Sequence, residues 1–271
     1  MGVRHQLKVL HSENIYQLQF KMENMGKVCT SCGKQLSFFF GLFNSVCDEC
    51  SHKIDVKMNV DNKSDKTNSQ NYGTKIGGEI AYFGLQDWWF NELTKEERDT
   101  ILSIYQPFGF SKNSLIEGKI SYTDQTAIGL LTGLLSWFKK PEYQKISSKI
   151  IKKVDSMSSK TGSVMDKHFF LSTKIQTLYR NRDANDSDLS AAIEACKEQI
   201  SISANAKRAF LKEYPGSPLP SHVGYNQLCI ILEKQKNYEE VIRLSKKAKE
   251  QGWMGDWDKR IERCMKKQKS K

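Results

Sequence analysis

Apolar residues recur at helical spacing from Glu79 onward, whereas the stretch from Asp55 to Gly78 carries few. Leu93, Ile101, Leu102 and Tyr105 form one stripe. Thr94, with Glu97 three residues later, opens that helix as a capping box, and Pro107 and Gly109 close it. Residues 127–138 are apolar nearly all round, which predicts the most buried helix of the body; the Gly129 and Gly133 pair sits inside it. Pro141 suits the first turn of a further helix to about residue 157, with Ile146, Ile150, Ile151 and Val154 on one face. The same period continues through 165–180, 189–202 and 205–214 until Pro215, Pro218 and Pro220 interrupt it. Ser221 then opens an expected helix over 222–235. A polar turn, Lys236-Asn237, separates it from another over 238–251. Gly252 and Gly255 bracket Trp253, and Asp256 caps a last helix from 257 to about 269. The expected fold class is mainly α.

Three consecutive large aromatics, Trp88, Trp89 and Phe90, cannot share one helix face, so core packing with one ring partly exposed is expected; an exposed Trp as a partner anchor is the alternative. Upstream of Glu79 the pattern fades. Residues 1–27 are polar and read as a disordered arm in which Met22 or Met25 are alternative starts. The span 28–54 carries four cysteines. Residues 55–78 bury too little to offset ordering entropy and read as a flexible linker. A helical domain over 79–164 and helical repeats over 165–271 complete the expected organisation.

Composition changes this picture in two places. The longest apolar run falls short of the roughly 20 residues a membrane helix needs, and the N-terminus lacks the apolar h-region of a secretory signal, so a cytoplasmic protein with no membrane span is expected. A formal net charge of +11 invites a polyanion, yet the 42 basic residues divide into 34 Lys and 8 Arg. Dedicated phosphate and base readers favour the bidentate arginine fork, and a lysine-rich solvated surface gives the same total.

Four of the seven cysteines stand as Cys29, Cys32, Cys47 and Cys50, in the phrases CTSC and CDEC separated by 14 residues. Two residues between thiolates let a tight turn aim both at one ion. Four thiolates close a tetrahedral Zn2+ shell with no position left for water, so the site is expected to be structural. A redox dithiol would need one such pair ahead of a helix rather than two copies, and His52 is an alternative to Cys50 as fourth ligand. Phe38, Phe39, Phe40, Leu42 and Phe43 supply the apolar patch so small a module needs besides its metal. Cys196, Cys229 and Cys264 fall singly in helical text.

The cysteine stretch resembles the short zinc-ribbon or treble-clef modules at the start of many bacterial proteins, a likeness that implies metal without implying function. Tyr225, Leu228, Cys229, Leu232, Tyr238, Val241, Ser245 and Ala248 fall at the signature spacing of a tetratricopeptide repeat, which the phrase NYEEVIRLSKKAKEQGW resembles in its second half. Lys236 stands where that turn usually has Gly, Ser245 where a large residue is common, and Trp253 where Pro often ends the unit. An earlier copy is traced by Leu171, Ile175 and Tyr179 and by Leu189, Ala192, Ile193 and Cys196, with NRDANDSD between them. The resemblance implies a small concave face that binds a protein or peptide segment.

No paired histidines at metal-ligand spacing, phosphate-cradling glycine loop or nucleophile elbow appears, so a non-catalytic adaptor is expected. The alternative is a nucleic-acid-associated protein touching phosphate through the zinc module and the basic tail of Lys259, Arg260, Arg263, Lys266, Lys267, Lys269 and Lys271. An enzyme whose site converges only in three dimensions is a third class.

Overall fold

The computed structural model describes Cys32 and residues 76–107, 113–158, 163–183 and 186–269. The expected disordered arm, the rest of the expected zinc module and the expected linker up to residue 75 lie outside these residues. Regular structure among the described residues is helical, apart from a single parallel bridge between Ser221 and Met254. None of these helices is long and apolar enough to cross a membrane.

The described residues fall into two compact units: 76–84 with Ser114–Thr126, and those of 85–113 with those of 127–269. In the smaller unit, a one-turn helix α1 (Gly78–Tyr82) begins against the turn at Ser114. A helix start leaves backbone N–H groups without intrahelical partners. Here the N–H groups of Gly77, Gly78, Glu79 and Ile80 donate to the carbonyls of Ile116, Gly118, Ser114 and Leu115, at 2.8, 2.8, 3.3 and 2.9 Å. Gly78 has φ +59°, and a Cβ there would lie 2.3 Å from the Ser114 carbonyl oxygen, so only glycine fits. Glu79 is buried beside this turn, and burial raises its carboxyl pKa to about 7.

In the larger unit a π-helical turn, Trp88–Glu92, precedes α2 (Lys95–Ile104). Trp88 and Trp89 are buried and Phe90 is the ring left exposed, so neither tryptophan is a surface anchor. Arg98 steadies this turn: its Nη1 donates to the carbonyls of Leu93 at 2.6 Å, Trp89 at 3.3 Å and Phe90 at 3.4 Å, and its guanidinium lies 5.6 Å from the Phe90 ring centre. The capping box of α2 is present: Glu97 N–H donates to Thr94 Oγ1 at 3.2 Å, and Thr94 N–H to Glu97 Oε2 at 2.8 Å. α3 (Ala127–Trp137) buries Ile128, Leu130, Leu131, Leu134 and Leu135. A Cβ on Gly133 would meet nothing, so no close helix crossing depends on that glycine. A 3-10 turn with Pro141 at its start leads into α4 (Gln144–Ser158), whose buried side includes Ile146, Ile150, Ile151 and Val154.

Six helices follow: α5 (Val164–Asn181), α6 (Asp186–Ser201), α7 (Ser203–Glu213), α8 (Val223–Lys234), α9 (Tyr238–Glu250) and α10 (Trp257–Lys269). α3 packs on α4 and α5. α5 packs on α6, both pack on α8, α8 packs on α9 and α9 on α10, while α7 lies against α5 and α6. One core joins them, containing Leu171, Ile175, Cys196, Tyr225, Leu228, Cys229, Val241, Leu244, Ala248, Trp253, Trp257 and Cys264. The cap of α8 is His222 rather than Ser221: His222 Nδ1 accepts the Tyr225 N–H at 3.3 Å.

Both ends of the last hairpin close by the same pair of backbone bonds. After α9, Gly252 at φ +83° donates to the Lys249 carbonyl at 2.9 Å and Trp253 to the Ala248 carbonyl at 3.1 Å. After α8, Lys236 donates to Glu233 at 3.2 Å and Asn237 to Leu232 at 2.9 Å, and Lys236 takes φ +60°. A lysine therefore adopts the left-handed conformation in which a Cβ is costly. Lys236→Gly is expected to raise stability by roughly 0.5–1 kcal/mol in a chemical-denaturation midpoint; a loss of stability would mean that the turn is not strained.

Candidate functional site

Two arrangements in the larger unit bring polar chemistry together. One is interior. His168 of α5 stacks on Trp253 with ring centres 5.5 Å apart and planes 10° from parallel. His222 stands edge-on to both, 5.1 Å from His168 and 4.8 Å from Trp253, and 4.7 Å from Tyr225. All four rings are buried. Gln199 of α6, also fully buried, ties the layers. Its Nε2 donates to the His168 carbonyl at 2.9 Å and to Ser172 Oγ at 2.6 Å, while its Oε1 accepts the Gly224 N–H at 2.6 Å. Gln199 and His222 between them thus satisfy two backbone donors of the first turn of α8. A Cβ on Gly224 would lie 2.8 Å from Gln199 Oε1, so the glycine lets α8 approach α6 this closely.

Because Nδ1 of His222 accepts a backbone N–H, its proton sits on Nε2. Burial pushes the pKa of His168 down to about 4 and that of His222 to about 3, the latter lowered further by His168. Both rings are neutral at physiological pH and far from the range of a working acid or base. The thiols nearby are inert for the same reason: burial pushes Cys196 up to about 12 and raises Cys229. This cluster is the joint of the core.

The other arrangement is on the surface and surrounds the last turn of α5. Lys139, just beyond α3, donates from Nζ to Gln176 Oε1 at 2.7 Å. Lys234, the last residue of α8, donates to Tyr179 Oη at 3.1 Å with its ammonium 5.7 Å from that ring's centre. Arg182 covers the ring at 4.3 Å. Gln176, Tyr179 and Arg180 stand at i, i+3 and i+4, hence on one face of α5. Burial lowers the pKa of Lys139, and the charge of Arg180 lowers it further. Among the described residues, no carboxylate pairs with Lys139, Arg180 or Lys234, whereas Arg182 is held by Asp183 at 3.0 Å. Ile230, one turn before Lys234 on the same face of α8, is 37% exposed.

Of the predicted zinc ligands, Cys29, Cys47 and Cys50 lie outside the described residues, as does His52; Cys32 is exposed at a turn. No three His, Cys, Asp or Glu side chains group as metal ligands among the described residues. His168 and His222, which show no metal-ligand spacing in sequence, meet through the packing of α5 on α8. The basic last helix is partly neutralised: Glu233 takes Arg260 at 3.4 Å and Arg263 at 2.9 Å, and Glu262 takes Lys266 at 2.7 Å. The cations at the end of α5 escape a sequence reading because they come from three separate segments.

Comparison with protein-family models, with curated proteins and with solved structures gives no match. The class is therefore set by the fold alone: a mainly helical chain whose last six helices share one core.

Proposed function

We propose that the chain is a cytoplasmic, non-catalytic interaction module, an adaptor or scaffold, that holds a protein or peptide segment on a tetratricopeptide-like helical surface within residues 165–271. In the same proposal Cys29, Cys32, Cys47 and Cys50 hold one structural Zn2+. The observation that carries the reading is the packing order. α5 and α6 form a first hairpin, α8 and α9 a second, α8 meets both helices of the first, and α10 covers α9. Each unit buries its apolar face on its neighbour, which is the stacking rule of helical repeats. Signature positions support it: Tyr225, Leu228, Cys229, Val241, Ser245 and Ala248 are buried, and Cys229 Sγ lies 3.7 Å from Ser245 Oγ. Two small side chains meet there in place of the usual large one. α7 is an addition to the two-helix unit.

The alternative, a nucleic-acid contact, draws on the basic tail, but Glu233 and Glu262 already occupy three of its cations. Capture of partners from native lysate, with and without nuclease, separates the two. The proposal expects nuclease-resistant protein partners that are lost on deleting residues 165–271; partners that vanish with nuclease would overturn it. For the metal, Cys29→Ala or Cys47→Ala is expected to release about one equivalent of zinc, read by elemental analysis. Full retention would remove the zinc assignment.

A further inference from the structure

We infer that the surface around the last turn of α5 is the docking site for an acidic peptide segment, gripped through its carboxylates by Lys139, Arg180 and Lys234 with an aliphatic side chain set against Ile230. The inference rests on the interaction-module reading and names the chemistry of its partner. Three elements, the end of α3, α5 and the end of α8, bring cations to one face, and no carboxylate of the described residues neutralises these three. Several cations elsewhere in the larger unit do have a carboxylate partner: Lys149 has Glu97, Lys174 has Asp155, Lys167 has Glu198 and Lys249 has Asp258. Crowding of unpaired like charges is unfavourable unless an anion offsets it. Lys139 carries that cost, since burial and Arg180 both disfavour its charged form.

Gln176 and Tyr179, which receive the two ammonium groups, lie one turn apart on α5. Neighbours at that spacing have Cβ atoms about 5–6 Å apart, a distance that nearby carboxylates of one short segment can span. Tyr179 holds the centre, its ring under Arg182 and its hydroxyl accepting from Lys234, and Ile230 gives the face an apolar flank. That mixture favours a peptide over a nucleic-acid backbone, which would need a continuous track of cations and stacking rings.

The test uses the full chain and three fluorescein-labelled probes: a twelve-residue peptide of mixed Asp, Glu and Leu, the same peptide with Asn and Gln in place of the acids, and a twelve-nucleotide single strand. Anisotropy is expected to show binding of the acidic peptide alone. Arg180→Gln combined with Lys234→Gln is expected to weaken it about tenfold or more, as loss of two charge contacts implies. An unchanged melting temperature would show that these surface changes leave the fold intact. Equal binding of the two peptides, or no loss in the double variant, would overturn the inference. Tighter binding of the oligonucleotide, lost in the same variant, would overturn it in favour of a phosphate site. Lysate capture with the double variant separates this inference from its parent. Partners retained in full would leave the interaction module standing and place its docking site elsewhere, whereas their absence from the unaltered chain would remove both.

Discussion

Trp253→Ala is expected to cost about 3–5 kcal/mol, the range for deleting a large buried aromatic, and to lower the unfolding midpoint of the helical body more than any change on its surface. The reason is position as much as size. Trp253 is 2% exposed and follows Gly252 in the turn that ends α9. Its backbone N–H closes that turn, its Nε1 donates to Gln251 Oε1 at 3.0 Å, and its carbonyl accepts Trp257 Nε1 at 2.6 Å. Its ring meanwhile lies on His168 of the first hairpin and against His222 at the start of the second. One side chain therefore ties the end of the second hairpin to the first helix of the first. Chemical denaturation followed by helical circular dichroism, with Leu211→Ala on an exposed position as control, measures the cost; a loss under about 1 kcal/mol would show that the stack does not join the hairpins.

Acid is the second lever. His168 and His222 have folded pKa values of about 4 and about 3, below the 6.5 of an unfolded imidazole. The unfolded chain thus binds protons that the folded chain refuses. Their contribution is flat above about pH 7, is lost progressively as pH falls from about 6.5 toward the folded values, and is flat again below them. At pH 5 the loss is about 2 kcal/mol per ring, because the unfolded pKa then sets nearly all of the difference. Protonating His222 at Nδ1 also removes the acceptor that caps α8. Glu79 works in the opposite sense: with its folded pKa raised from 4.5 to about 7, the fold gains proton affinity, and stability falls as pH rises across that interval. Comparison with His168→Phe cancels what Glu79 contributes, since both chains carry it. Between pH 7 and pH 5 the unaltered chain is expected to lose about 2 kcal/mol more than the variant. Equal losses would show that His168 is not held neutral by the core.

What could be read from the sequence was what is local. Thr94 and Glu97 lie three residues apart, so their reciprocal bonds follow from helix geometry alone. The all-round apolar text of 127–138 could only be an interior helix. Trp88, Trp89 and Phe90 resolve as two buried rings and one exposed ring. Boundaries moved where a side chain from another element decided them. Ser221 has the usual capping chemistry, but His222 takes the role because the core around Trp253 holds its ring in place. Lys236 carries a Cβ, yet the backbone adopts the conformation that favours glycine, since two hydrogen bonds close the turn. Lys139, Arg180 and Lys234 carried no signal, because each is an ordinary helix-end cation until α3, α5 and α8 are packed together. The cysteine pairs are the reverse case: their spacing points to a metal in the sequence itself, and three of the four stand outside the described residues.

The His168 to Trp253 stack also has a consequence for biosynthesis. Nearly the whole helical body must leave the ribosome before Trp253 is available, so His168 gains its stacking partner only late in translation. Until then the first hairpin lacks the aromatic layer that its neighbour supplies. A chain that ends before that tryptophan lacks the ring that stacks on His168 and meets His222.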